Sequence, residues 1–388
     1  MPYEISFENL PVGYSASSKK YGYTTVEVVV NEFTSSEDGD LFITRLEGFP
    51  AEIISKLPKE HGITPSKVDH LIAVLRRNKT ATVYVNEVNM RVEARIKRTI
   101  KKGEAVFKDD ISDIHKLTLK EVNVPKDAGV LVLFSLGWRK GLYFDFYPIQ
   151  PKNTIERSYD LSIILGQFYS YLLFQNRFKV NEETWEKLFE QKWFPFISLK
   201  DETITSILNY CKESWDIDEL LPKIKDELIT KIPDLAHKWH KNEFISPHMA
   251  FIDKAIEHYQ QNDHISAISI LYPRIEGIMR SFYLNERETK KVTQNNLVGA
   301  VIDTKNIAKH SCSLLLPEKF KKYLLDVYFA NFDPKGIKPL SRHSVSHGVA
   351  NASDFSLKGT TIGFLILDQL SYFISSQEKI GDRLQMTT

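Results

Sequence analysis

Residues 1–150 are built from short runs of β-branched and aromatic side chains. Thr25–Val30 and Thr80–Val85 are two such runs, each closed by polar turn residues, and each has the length and composition of a strand. From Val88 to Ile96 the chain alternates. Val88, Met90, Val92, Ala94 and Ile96 fall on one face, and Asn89, Arg91, Glu93 and Arg95 on the other, as in a half-buried strand. Gly129–Phe134 and Leu142–Tyr147 predict two more strands, joined by a turn carrying Gly137-Trp138-Arg139-Lys140-Gly141. One helix is expected to interrupt this region, from Ser66 to Arg77. The set predicts a β-rich domain, a sandwich or an open barrel.

Pro148 and Pro151 mark a change of period. Beyond Ile155 the apolar residues Leu161, Ile164, Leu165, Phe168, Leu172 and Leu173 recur at three and four, the repeat of a helix. Shorter helices are expected near 182–192, 201–213 and 218–230, with Pro195, Pro222 and Pro233 at boundaries or first turns. Ser246-Pro247 has the arrangement that opens a helix, which then runs to about Gln261. A longer one is expected over Ile265–Tyr283, with Ile268, Leu271, Tyr272, Ile275, Ile278, Met279 and Phe282 on its apolar side. Weaker helices follow near 294–303 and 317–330, then a turn at Asp333-Pro334-Lys335-Gly336, then a final helix over Leu357–Ser375. The expected class is α+β, in three segments: a β-rich sensing or regulatory domain (1–150), a helical connecting region (151–243) and an all-α bundle (244–388).

Composition narrows the partners. The chain has 388 residues, 42% hydrophobic and 26% charged, with a net charge of +1. It therefore has ample core material, and any nucleic-acid contact must come from local patches. Two cysteines, Cys211 and Cys312, fit no metal spacing and predict free thiols in a reducing cytoplasm. No leader peptide and no membrane-length apolar run is apparent. The phosphate-loop, dinucleotide and His-Glu-x-x-His patterns are missing, so neither cofactor nor metal is expected. His237 and His240 stand three apart with no matching carboxylate or cysteine, and His310 and Cys312 are expected to be structural or exposed.

Candidate chemistry concentrates in Ser341-Arg342-His343-Ser344-Val345-Ser346-His347-Gly348. A guanidinium keeps its charge and offers a planar fork of donors to a phosphate, while an imidazole gains and loses protons near neutral pH. Together they suit phosphate-ester chemistry; the bland alternative is that they cap and solvate a helix start. Of the other polar groups, Arg95, Lys97, Arg98, Lys101 and Lys102 form a basic run that tracks RNA phosphates or merely solvates a strand end. Trp138, beside Arg139 and Lys140, is a stacking platform or a core residue.

The segment Arg342–Gly348 resembles the Arg-x(4–6)-His signature of HEPN domains, in the form found in prokaryotic anti-phage and abortive-infection proteins. The helix bearing Arg274, Glu276 and Arg280 is similar to that family's second long helix, and Gly137–Phe146 is similar to a segment of some such proteins. Ser341 departs from the pattern, where relatives often place asparagine. The resemblance covers residues 244–388. It implies a helical bundle that forms a homodimer, with the motifs of both protomers facing one cleft, and metal-independent cleavage of RNA by attack of the 2′-hydroxyl. In that reading Arg342 and His347 are catalytic, His343 orients the phosphate or carries a second proton, and Glu276 positions Arg342. A regulatory ligand or protein at the β-rich domain is expected. The alternatives are a non-catalytic dimerisation or nucleotide- or RNA-binding module, and a toxin neutralised by a separate antitoxin.

Overall fold

A computed structural model describes residues 2–20, 23–58, 63–64, 67–151, 155–286, 292–302, 312–331 and 340–385, with side chains described outside 16–25, 286 and 376–385. The expected turn at Asp333–Gly336, and His310, lie outside the described residues. The chain divides into two compact units. The first combines Met1–Glu93 with Ile114–Gln175, and the second combines Ala94–Asp113 with Asn176–Thr388. These boundaries differ from those expected at 150 and 243.

The strands are β1 (Tyr3–Ser6), β2 (Tyr14–Lys20), β3 (Tyr23–Val29), β4 (Asn31–Ser35), β5 (His70–Leu75), β6 (Thr80–Val85), β7 (Met90–Ile96), β8 (Ile111–Leu119), β9 (Gly129–Leu136) and β10 (Arg139–Asp145). Six of them form one antiparallel sheet in the order β1-β6-β5-β9-β10-β4. β2 pairs with β3 and β7 with β8 as separate two-stranded ribbons.

Alternation divides each central strand between two cores. Leu71, Ala73 and Leu75 of β5 join Leu131 and Leu133 of β9 under the helices α1 (Asp40–Glu47) and α2 (Phe49–Ser55). Ile72, Val74, Val130 and Val132 face the other way. They pack on Leu117 and Leu119 of β8 and on Leu165 and Leu172 of α3 (Leu161–Leu173). Gly166 lets α3 lie against the β8 backbone, since a Cβ there would stand 2.8 Å from the Lys116 Cα.

Two expectations are corrected here. The sheet is open, with β1 and β4 as edges and helices in both covering layers, so it is neither a barrel nor a pair of full sheets. Where a helix is expected from Ser66 to Arg77, His70–Leu75 form the central strand β5, paired on one side with β6 and on the other with β9, and Ser66 lies outside the described residues. A strand buried on both faces reads as a continuous apolar run, and its period cannot separate it from a buried helix.

In the second unit the helices are α4 (Gln175–Phe178, where the chain enters it), α5 (Glu182–Glu190), α6 (Asp201–Lys212), α7 (Leu221–His240), α8 (Met249–Gln260), α9 (His264–Glu286), α10 (Gln294–Val301), α11 (Pro317–Tyr323), α12 (Arg342–Ser346) and α13 (Leu357–Gln385). α11 runs on into a π turn over Leu324–Tyr328. Pro233 lies inside α7 rather than at a boundary. Its ring removes one helical hydrogen bond, but Leu228, Ile232, Leu235 and Trp239 bury a continuous stripe that carries the helix through.

α13 is buried on all sides from Ile362 to Ile374, which marks it as the central helix of the unit. Gln369 fixes its surroundings. Its Oε1 accepts from Ile197 N at 2.8 Å and its Nε2 donates to Leu315 O at 3.0 Å. Residues 94–113 also belong to this unit. Arg95 donates to Tyr372 O at 3.0 Å, and Asp113 accepts from Ser313 Oγ at 2.8 Å and Leu314 N at 3.1 Å. Among the described residues no helix is long and apolar enough to cross a membrane.

Candidate functional site

α12 is little more than one turn, too short to persist in isolation, yet both of its ends are closed. At the start, Ser341 is fully buried. Its Oγ accepts from Ser344 N at 3.2 Å, and Ser344 Oγ accepts from Ser341 N at 2.9 Å, a reciprocal cap. At the end, Gly348 sits at φ +67°. Its N–H donates to Val345 O at 3.1 Å, and Val349 N donates to Ser344 O at 3.0 Å. That is the Schellman pattern, and its left-handed position favours glycine.

The capped turn fixes where each candidate points. Arg342 and His347 are five residues apart, about 140° around a helix at 3.6 residues per turn. His343 and His347 are four apart and share a side. Their rings stack, with centroids 6.2 Å apart and planes at 15°. Arg342 turns the other way, and its Nε pairs with Glu276 Oε2 on α9. The Glu276 side chain is 8% exposed and that of Arg342 24%. Glu276 also accepts from Arg280 Nη2 at 2.8 Å. The intrahelical and the longer-range partners expected for this carboxylate therefore coexist. Arg274, two residues before Glu276, lies over the Phe251 ring at 3.8 Å.

His343, like Arg342, is half-buried. Its Nδ1 faces Arg342 Nη1 at 3.5 Å, its Nε2 meets the Gln294 side-chain amide at the start of α10, and its ring lies 6.2 Å from that of Phe329. Burial holds its pKa below the ordinary histidine range. The Arg342 cation adds to this, Glu276 opposes it, and His347 reinforces it. His347 is exposed and ends the helix, with its backbone N–H donating to His343 O at 3.0 Å. Tyr328 donates to Tyr272 O at 2.6 Å. Burial, and then Glu276, push its phenol well above the usual range, so it stays neutral beside the pair. Neither Gln294 nor Tyr328 carried a signal in the sequence.

The motif and Glu276 therefore come together, whereas the basic run does not form one face. Arg95 turns to Tyr372 O, and Lys97 donates to Leu199 O at 3.3 Å. Burial lowers the Lys97 pKa to about 7, aided by the Arg177 and Lys231 cations. Arg98 is engaged by Glu104 and, at 2.6 Å, by Asp110. Lys101 and Lys102 remain on the surface. Trp138 is 72% exposed, and the Arg139 guanidinium stacks over it at 5.0 Å. His240 pairs with Asp253 at 3.2 Å. No protein-family model, curated protein or solved structure matches this chain.

Proposed function

We propose that the chain is a metal-independent endoribonuclease, an effector of prokaryotic defence by abortive infection that works in the cytoplasm as a homodimer through its helical unit. The observation that carries this reading is the doubly capped α12, which holds a carboxylate-anchored arginine and a stacked pair of imidazoles on one rigid turn. RNA places a 2′-hydroxyl beside each phosphate. A neutral His347 takes the proton from that hydroxyl, and its oxygen attacks phosphorus. Arg342 neutralises the charge that develops on the phosphorane. The bond to the 5′-oxygen breaks, and the leaving oxygen takes a proton from the imidazolium of the facing protomer. Glu276 keeps the guanidinium oriented, and His343 lies beside it.

In this account the sheet-bearing unit restrains the activity and answers to a regulatory ligand or protein. A restraint by a separate antitoxin involves the same chemistry. One observation favours a different reading, a non-catalytic dimerisation or nucleotide- or RNA-binding module: a guanidinium paired with a buried carboxylate holds α12 on α9 whether or not RNA is cut.

The test compares purified wild type with Arg342→Ala and His347→Ala on labelled tRNA and mRNA. Loss of a general acid–base group is expected to slow cleavage by about 10²–10⁴-fold. Full cleavage by His347→Ala sinks the proposal. RNA binding without cleavage by the wild type favours the scaffold.

A further inference from the structure

His343 lies between two groups that both present hydrogen-bond donors, Arg342 Nη1 on the Nδ1 side at 3.5 Å and the Gln294 Nε2 on the other. A neutral imidazole has one donor and one acceptor nitrogen, and an imidazolium has two donors. It cannot accept from both neighbours. Arg342 has no acceptor to offer. Gln294 does, because half a turn of its amide exchanges nitrogen for oxygen with no change of shape. The consistent arrangement therefore runs one way: Arg342 N–H to His343 Nδ1, and His343 Nε2–H to Gln294 Oε1.

We infer that Gln294 is a positioning residue that locks His343 as the neutral Nε2–H tautomer, leaving His347 as the proton carrier of the motif. The fold supports the lock at each contact. Gln294 is the first residue of α10, whose start is fixed by a cap in which Thr293 N donates to Asn296 Oδ1 at 3.2 Å and Asn296 N to Thr293 Oγ1 at 3.3 Å. Among the described residues, the groups around the imidazole are Arg342 and His347 on its own helix, Glu276 on α9, Gln294 on α10 and the Phe329 ring. Protonation would set a second cation beside Arg342 and leave Nδ1–H facing a donor. Burial, the Arg342 cation and His347 work against it, and Glu276 favours it. A histidine with both nitrogens engaged holds the arginine in place but neither donates to a phosphate oxygen nor shuttles protons.

The role given to His347 rests on the ribonuclease reading, but the lock itself is measured without RNA. In full-length protein labelled with ¹⁵N-histidine, long-range ¹H–¹⁵N correlation distinguishes the tautomers, and the His343 signals are assigned by their loss in His343→Asn. The expected result is an Nε2–H pattern that begins to titrate only below the range of an ordinary histidine. Gln294→Leu removes the acceptor and is expected to release the ring into a tautomer mixture. Gln294→Glu keeps the acceptor and adds charge, and is expected to raise the imidazolium fraction about tenfold at a given pH. A purely structural Gln294 would move both variants the same way. An Nδ1–H pattern, or titration near pH 6.5 in the wild type, overturns the inference. A locked tautomer in a protein that cuts no RNA leaves the inference standing and removes the ribonuclease reading.

Discussion

Replacing Glu276 by glutamine tests whether a carboxylate holds the motif in place. The side chain keeps its shape, but Arg342 and Arg280 lose the charge they share. Exposed ion pairs couple by about 0–1 kcal/mol, and breaking a fully buried pair costs about 3–5 kcal/mol. With Glu276 8% and Arg342 24% exposed, the pair lies between these limits. Arg280 also remains a competing partner for the carboxylate. A coupling of about 1–2 kcal/mol is expected from a double-mutant cycle of Glu276→Gln, Arg342→Gln and the double variant, read by urea unfolding. Glu276→Gln alone should lower the melting temperature of the helical unit by about 2–8 °C, at about 2–4 °C per kcal/mol for a unit of this size. Its residual RNA cleavage should fall with Arg342 still present, because an unanchored guanidinium is misplaced rather than absent. Additivity within about 0.3 kcal/mol would refute the reasoning, since residues without an energetic link add.

Three further outcomes follow from particular contacts. Gly348→Ala meets no neighbouring atom, but its φ of +67° is unfavourable for any Cβ, so it should cost about 1 kcal/mol by urea midpoint; no loss would mean the α12 terminus is not held in this conformation. Asp145→Asn leaves Arg157 unbalanced in the first unit, where both side chains are 2% exposed and 2.9 Å apart, and should cost about 3–5 kcal/mol in the same assay. Lys97, with a folded pKa of about 7, binds fewer protons than the unfolded chain between about pH 7 and its unfolded value near 10.4. Its contribution to stability therefore rises with pH across that window and falls on acidification. Urea midpoints of wild type should gain on those of Lys97→Met from pH 7 to 10, and a constant difference would contradict the assignment.

Much of this was legible in the chain, for reasons that differ by element. Thr80–Val85 and Gly129–Phe134 stood out because β-branched runs between turn residues have few other uses, and both are strands. His70–Leu75 did not, because a strand flanked by β6 and β9 buries both faces and loses its alternation. Pro233 was misleading because local propensity cannot see the core stripe that carries α7 past it. At the site, the spacing of Arg342, His343 and His347 was visible, as was Glu276 as a possible anchor. Gln294 was not, being 49 positions from the histidine it meets. The basic run from Arg95 to Lys102 looked like one surface because sequence carries no direction. Arg95 and Lys97 turn inward to backbone carbonyls, and Arg98 turns to carboxylates.

The central claim is that this site opens RNA by its own 2′-hydroxyl. The most direct measurement incubates wild-type protein with end-labelled RNA in EDTA, beside the same sequence with 2′-deoxyribose, and maps the product ends. The account predicts 2′,3′-cyclic phosphate and 5′-hydroxyl ends from RNA and no cutting of the deoxy strand. Cleavage of both strands, or 3′-hydroxyl and 5′-phosphate ends, would contradict it.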